Sequence, residues 1–291
     1  MADKVKFLFQ NYIEDATLTA SSQAITKENL KHYKLSKVWR TTGLTSQYIS
    51  AALATTGGIN FIALWGHNLT TAATIRVRIG NDPTFVTNSY DETHYAWEAV
   101  SGFDEGGFDE GGFDGVPVLS TLNGYPRYTV IKLPASYNAD YIRLDFTDAS
   151  NADGYIQAGY WACGLLKETE YDISIPSELP SWVDPSIQYE TESSDLWVCK
   201  RPKYRVASYI FEFLNKSEAL IMMDDLSRII GGSRPIIVLY FSDSVIYQYR
   251  YAMYGLITNA SQGLIKRQLR QNTEVNSYGI TINVRELRQQ L

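Results

Sequence analysis

Between Leu8 and about Glu170 the chain alternates short apolar runs with Gly, Asn, Asp and Pro. Residues 59–65 are almost continuously apolar, which predicts a strand covered on both faces. Residues 74–79 alternate, placing Ile75, Val77 and Ile79 inward and Thr74, Arg76 and Arg78 outward. Residues 128–133 and 141–146 repeat that period. DASNADGYIQAGYWACG, at residues 148–164, reads as a strand end, a polar turn with Asn151, Asp153 and Gly154, and a second alternating strand at 155–161. Many short strands separated by turn residues predict a β-sandwich.

Beyond residue 172 the pattern changes. Pro176, Pro180 and Pro185 within 173–185 withhold ladder donors and predict a linker or a strapped, extended connection. Strands follow around Trp197 and at 204–214, 236–241, 245–254 and 279–285. One helix interrupts them at about 217–230. Ser217 is its expected cap, Ala219, Leu220, Met223, Leu226, Ile229 and Ile230 recur at helical spacing, and Gly231 with Gly232 stops it. A chain of 291 residues, 45% hydrophobic, is long enough for two domains with separate cores.

Three segments carry a family resemblance: residues 148–164, NLKHYKLSKVWRTTG at 29–43 and FIALWGHNLTTAATIRVRI at 61–79. Together, over most of residues 5–175, they resemble the galactose-binding-like β-sandwich of bacteriophage tail proteins. The later order of strand, single helix, hairpin and final strand is similar to the C-terminal part of the same proteins and to the split β-barrels of tail tubes and distal tail rings. The resemblance implies a mainly β chain, with a jelly-roll-like sandwich in residues 1–172 and a β-barrel-like assembly domain with one α-helix in 173–291. It implies a structural protein of a virion tail or baseplate, a homo-oligomer that also binds other tail or baseplate proteins.

Charge and cysteine content narrow the partners. A net charge of -6 repels phosphate, so no nucleic-acid partner is expected. The two basic runs, at 200–205 and 266–270, read as solvated faces or as an interface with an acidic partner. Cys163 and Cys199 are too few for a disulfide framework and are expected reduced and buried. With no apolar stretch of signal length or bilayer-spanning length, synthesis in a host bacterial cytoplasm is expected, without membrane insertion. The sequons at Asn68, Asn215 and Asn259 are then chance matches.

Residues 103–115, FDEGGFDEGGFDG, repeat a five-residue unit with Phe103, Phe108 and Phe113 in phase. Glycine and acid oppose burial and predict a projecting loop. Two readings stand: a contact finger of Phe103, Asp104, Phe108, Asp109, Phe113 and Asp114, or a tandem expansion that a loop tolerates at little cost. Asp104, Glu105, Asp109, Glu110 and Asp114 lack the carboxylate ladder of a calcium loop. The candidate subunit interface is a tyrosine ladder, Tyr247, Tyr249 and Tyr251 on one strand face, Arg250 on the other, and Tyr254 beyond; the other reading of this face is the inner wall of the barrel.

Catalytic signatures are missing. His32, His67 and His94 have no acid or ligand partner at a fixed offset, and no nucleophile elbow or phosphate loop occurs. No enzyme, cofactor or metal is expected, and His67 in WGHNLT reads as a turn or packing histidine. The alternative to assembly is a virion adhesin or carbohydrate-binding module for host surface glycan, with Trp65, Asn68 and Trp97 as candidate contacts. Against it, Trp65 ends a buried strand, where its ring would pack inside.

Overall fold

The computed structural model describes residues 4–8, 10–97, 127–174, 177–190, 194–240, 248, 250–259, 265–269 and 276–288. The acidic repeat, Tyr247 and Tyr249 lie outside the described residues. In chain order the strands are β1 (Lys6–Leu8), β2 (Thr17–Ala20), β3 (Trp39–Arg40), β4 (Gln47–Trp65), β5 (Thr74–Gly80), β6 (Tyr90–Tyr95), β7 (Tyr128–Thr147), β8 (Gln157–Ala158) and β9 (Tyr160–Gly164). There follow β10 (Lys167–Glu168), β11 (Glu178–Val183), β12 (Ile187–Glu190), β13 (Leu196–Cys199), β14 (Tyr204–Leu214), β15 (Pro235–Leu239), β16 (Met253–Ile257), β17 (Ile265–Leu269) and β18 (Asn276–Glu286). One helical segment, a π turn at Glu218–Met222 continued by α1 (Met223–Ile229), lies between β14 and β15.

The fold is mainly β, in two compact units. The sandwich unit comprises residues 10–167 and 243–250. Its ladder runs β2-β4-β7-β5-β6, with β9 also on β4 and a separate β3-β8 pair. β4 and β7 pair along three stretches, 47–52 with 141–146, 57–59 with 137–139 and 61–65 with 128–132, separated by register shifts. β2 flanks the first stretch of β4 and β9 the last. β5 follows the alternation: Ile75, Val77 and Ile79 are buried, while outward Arg76 pairs with Asp91 and Arg78 with Asp145.

Two expected alternations fail, for a common reason. Tyr128, Thr129, Val130 and Ile131 are all buried. On one face the Tyr128 ring stacks on Trp65 with centroids 4.9 Å apart and its hydroxyl donates to the Gln248 carbonyl. On the other, the Thr129 hydroxyl donates to the Ala96 carbonyl. β9 is likewise buried at every position. A strand covered on both faces loses the period-two pattern.

The C-terminal unit holds Met1–Phe9, Glu168–Ser242 and Tyr251–Leu291. The chain is therefore not divided at residue 172 alone, since β1 pairs antiparallel with β15. The ladder order is β10-β1-β15-β16-β18-β14-β11, with β17 also on β18. β14 alternates along its first part, turning Ala207, Tyr209 and Phe211 into a core with Phe7, Val238 and Ile282. The helix adds Ala219, Met223, Leu226 and Ile230 to that core and leaves Leu220 exposed. Its cap is Asn215 instead of Ser217: the Asn215 side chain accepts from the Glu218 amide at 2.8 Å, and the Glu218 carboxylate accepts from the Asn215 amide at 2.9 Å. Gly231, at φ 50°, stops the helix in the left-handed region as the sequence suggests.

Three further expectations need correction. The proline-rich connection contains β11, an edge strand whose register shifts across Pro180, where a missing donor is tolerated. Arg205, last of the first basic run, is buried at a core position, where its guanidinium is paired with the buried Glu286 carboxylate and donates to the Ala252 carbonyl at 3.0 Å. The expected strand at 245–254 is not continuous: among the described residues Gln248, Arg250 and Tyr251 are helical, and β16 begins at Met253.

Candidate functional site

Convergent polar chemistry on the sandwich unit gathers where three segments meet: β3, the loop after β4 and the turn before β8. In the β3-β8 pair Arg40 lies opposite Gln157 and Trp39 opposite Ala158. Trp39 and Ala158 are buried, so Arg40 and Gln157 face outward, both half-buried. Arg40 donates through Nε at 3.3 Å and Nη2 at 2.8 Å to Gln157 Oε1. Its guanidinium carbon sits 4.1 Å from the centre of the Tyr155 ring, a cation–π contact.

Asn68 fixes the neighbouring loop. Its Nδ2 donates to Asp153 Oδ2 at 2.8 Å and to the Tyr155 carbonyl at 3.0 Å, while its Oδ1 accepts from the Gln157 amide at 2.7 Å. Asn151 Nδ2 donates to the Asn68 carbonyl and to Asp148 Oδ2, and buried Asp148 also accepts from the Thr70 amide and hydroxyl. Thr41 completes the staple: its amide donates to the Ile156 carbonyl and its hydroxyl accepts from the Ile156 amide, both at 2.9 Å. These bonds hold Arg40, Asp153, Tyr155 and Gln157 on a prearranged platform. Among the described residues, Arg40 Nη1, Gln157 Nε2, Asp153 Oδ1 and the Tyr155 hydroxyl keep hydrogen-bonding capacity.

The sequence reading placed the sugar-facing groups differently. Asn68 belongs to this end, yet it holds the loop together and its side-chain atoms are already engaged. Trp65, 1% exposed, stacks on Tyr128, and Trp97, 2% exposed, donates its indole N–H to the Leu69 carbonyl at 3.0 Å. Neither ring offers a face to a ligand. Of the groups that sequence missed, Tyr155 and Gln157 share one segment, but Arg40 lies more than a hundred positions earlier, and no local motif joins it to them.

His67 stands behind the platform, 2% exposed, between the Leu69 amide and the Thr129 hydroxyl. Burial lowers its pKa to about 3, so it is neutral at physiological pH. Of the tyrosine ladder, Tyr247 and Tyr249 lie outside the described residues; Arg250, at the end of the sandwich unit, is exposed, while on the C-terminal unit Tyr251 is half-buried and Tyr254 is 1% exposed. Cys163 is buried and Cys199, expected buried, is exposed. Among the described residues no group of three or more His, Cys, Asp or Glu could hold a metal ion, and no described helix is long and apolar enough to cross a membrane.

No protein-family model and no curated protein matches the sequence. Among solved structures, the family 32 carbohydrate-binding module of C. perfringens NanJ, in complex with galactose, is similar at a TM-score of 0.35 and 11% identity, over 54% of this chain and 98% of that one. Chitosan-binding module 1 from a chitosanase/glucanase of Paenibacillus sp. IK-5 is similar at 0.35 and 18% identity, over 53% and 98%. The family 32 module of AlyQ, in complex with 4,5-unsaturated mannuronic acid, is similar at 0.33 and 20% identity, over 53% and 97%.

Proposed function

We propose that the sandwich unit is a binding module for a glycan, with the Arg40, Asp153, Tyr155 and Gln157 platform as its contact surface. The observation that carries this reading is the outward guanidinium of Arg40, fixed by Gln157 and the Tyr155 ring beside a stapled, exposed carboxylate. Sugar hydroxyls both donate and accept, so a site for them needs acceptors such as Asp153 beside donors such as Arg40 and Gln157, held in place before binding. The likeness to modules solved with sugars, at TM-scores of 0.33 to 0.35, is too slight to carry the reading, and the residues carry it. No catalytic role is assigned to the platform. Its acid has no partner acid across a cleft among the residues described above.

The test is binding of the full chain to a panel of immobilised glycans, followed by calorimetry on any glycan retained. Arg40→Ala and Asp153→Asn should each weaken binding by about tenfold or more, as lost hydrogen bonds to charged groups do, with the melting temperature nearly unchanged. Retention of no glycan, or variants that bind like the parent, would overturn the proposal. A role in a phage tail or baseplate rests on the sequence resemblance alone. An assembly role as such has independent support in an exposed hairpin of the C-terminal unit.

A further inference from the structure

β12 and β13 form a two-stranded sheet of their own, outside the ladder of the C-terminal unit. Their register sets Ile187 against Cys199, Tyr189 against Trp197, Gln188 against Val198 and Glu190 against Leu196. Opposed residues share a face, so Ile187, Tyr189, Trp197 and Cys199 make one continuous apolar side. It is open to solvent: Ile187 is 46% exposed, Tyr189 54% and Trp197 59%. Isolated two-stranded hairpins are marginal in water, and an exposed aromatic and aliphatic patch of this kind marks a contact surface. A Tyr–Trp pair is also the composition of binding hot spots.

A second apolar patch on the same unit indicates the occupant. Leu220 is 46% and Ile221 62% exposed, both on the π turn, a helix irregularity that concentrates at functional positions. Charge divides the same way. Lys200 and Arg201, exposed directly after β13, have no ion pair among the described residues, nor has exposed Asp224, one helical turn from Leu220 and Ile221. A hairpin with a basic base and a helix turn carrying an exposed acid are both apolar at the centre and complementary in sign. They are different surfaces of one chain, so the contact they make is between copies and head to tail.

We propose that the β12-β13 hairpin of one copy docks on the π-turn face of a second copy of this chain, Tyr189 and Trp197 covering Leu220 and Ile221 while Lys200 and Arg201 face Asp224. This contact is independent of the glycan reading, because it uses the other unit.

The experiment is sedimentation of the full chain over a range of concentrations, with two surface variants. Trp197→Ser removes the hairpin anchor and Ile221→Lys spoils the receiving face; neither touches the core. The parent should associate with concentration, and each variant alone should associate about tenfold or more weakly. An equimolar mixture should form a one-to-one dimer, because each variant supplies the surface the other lacks. In parallel, Lys200→Glu with Arg201→Glu should weaken association, and Asp224→Lys in the same chain should restore it. A parent that stays monomeric throughout, variants that associate like the parent, or a mixture that stays monomeric would each overturn the proposal.

Discussion

His67 is neutral because each ring nitrogen already has a fixed sense of hydrogen bonding. Nδ1 accepts from the Leu69 amide at 3.2 Å. The Thr129 hydroxyl spends its proton on the Ala96 carbonyl, at 2.5 Å, so at 3.1 Å it accepts from His67 Nε2–H. A second proton on Nδ1 would face the Leu69 N–H in a buried site, which agrees with a pKa lowered by burial to about 3. In the unfolded chain a histidine titrates near about 6.5. Between those values the unfolded state binds a proton that the folded state refuses. The stability due to His67 is thus complete above about pH 6.5 and falls at up to about 1.4 kcal/mol per pH unit below it. Thermal melts from pH 7.5 to 5 should show the parent losing stability more steeply than His67→Gln, the variant keeping a neutral side chain throughout. Parallel curves would show that His67 takes up its proton in the folded state. His94 is half-buried and also lowered by desolvation, so the difference between the curves, not the parent's slope, isolates His67. The sequence reveals a packing histidine here because WGHNLT follows a buried run. The same run suggests that Trp65 packs inside, but not that its cover is Tyr128, a partner far along the chain.

At the scale of elements, what alternates strictly is legible and what depends on a partner strand is not. β14 matches the expected 204–214 end for end because its early residues alternate between core and outside. The tyrosines at 247, 249 and 251 alternate as well, yet Gln248, Arg250 and Tyr251 are helical, so period two in the sequence did not suffice there. β12 and β11 carry no clear signal, the one exposed at every position and the other crossing Pro180 at the sheet edge. The helix shows a finer ambiguity. Asn215 and Ser217 are both capping residues, and only Asn215 stands three positions before a glutamate, the spacing of a capping box. The structure uses it: Ser217 has helical backbone angles and makes no side-chain capping bond. Asn215→Ala should therefore lower stability by about 1 kcal/mol, whereas Ser217→Ala should change it by only a few tenths. Urea unfolding followed by circular dichroism separates the two, and equal losses would reassign the cap. Asn215 is also the first residue of a sequon, Asn215-Lys216-Ser217, and its role in the fold is that of a helix cap.

At the scale of the whole molecule, the boundary read from the sequence and the units of the structure differ because β1 crosses it. Three residues, Lys6–Leu8, are too short for a periodic signal, and pairing with β15 more than two hundred positions later leaves no local mark. Their contribution is nonetheless central. Phe7 is 1% exposed and meets Phe211 with ring centroids 5.6 Å apart and Tyr209 at 6.5 Å, both edge-on. Lys6, Phe7 and Leu8 pair with Leu239, Val238 and Ile237, so without them β15 loses its ladder partner on that side. Emptying the Phe7 site alone costs about 3–5 kcal/mol, a large part of the stability of a domain of this size. A fragment of residues 173–291, cut where the sequence suggests, should therefore lack a cooperative thermal transition and bind a hydrophobic dye. Residues 1–9 joined by a flexible linker to residues 168–291 should restore a single transition and abolish dye binding. The joined fragment also restores residues 168–172, with Glu168 of β10 among them, so a third chain carrying the linker and residues 168–291 without 1–9 isolates β1 itself. If that third chain melts as cooperatively as the joined one, β1 is dispensable and the C-terminal unit is contiguous in sequence after all.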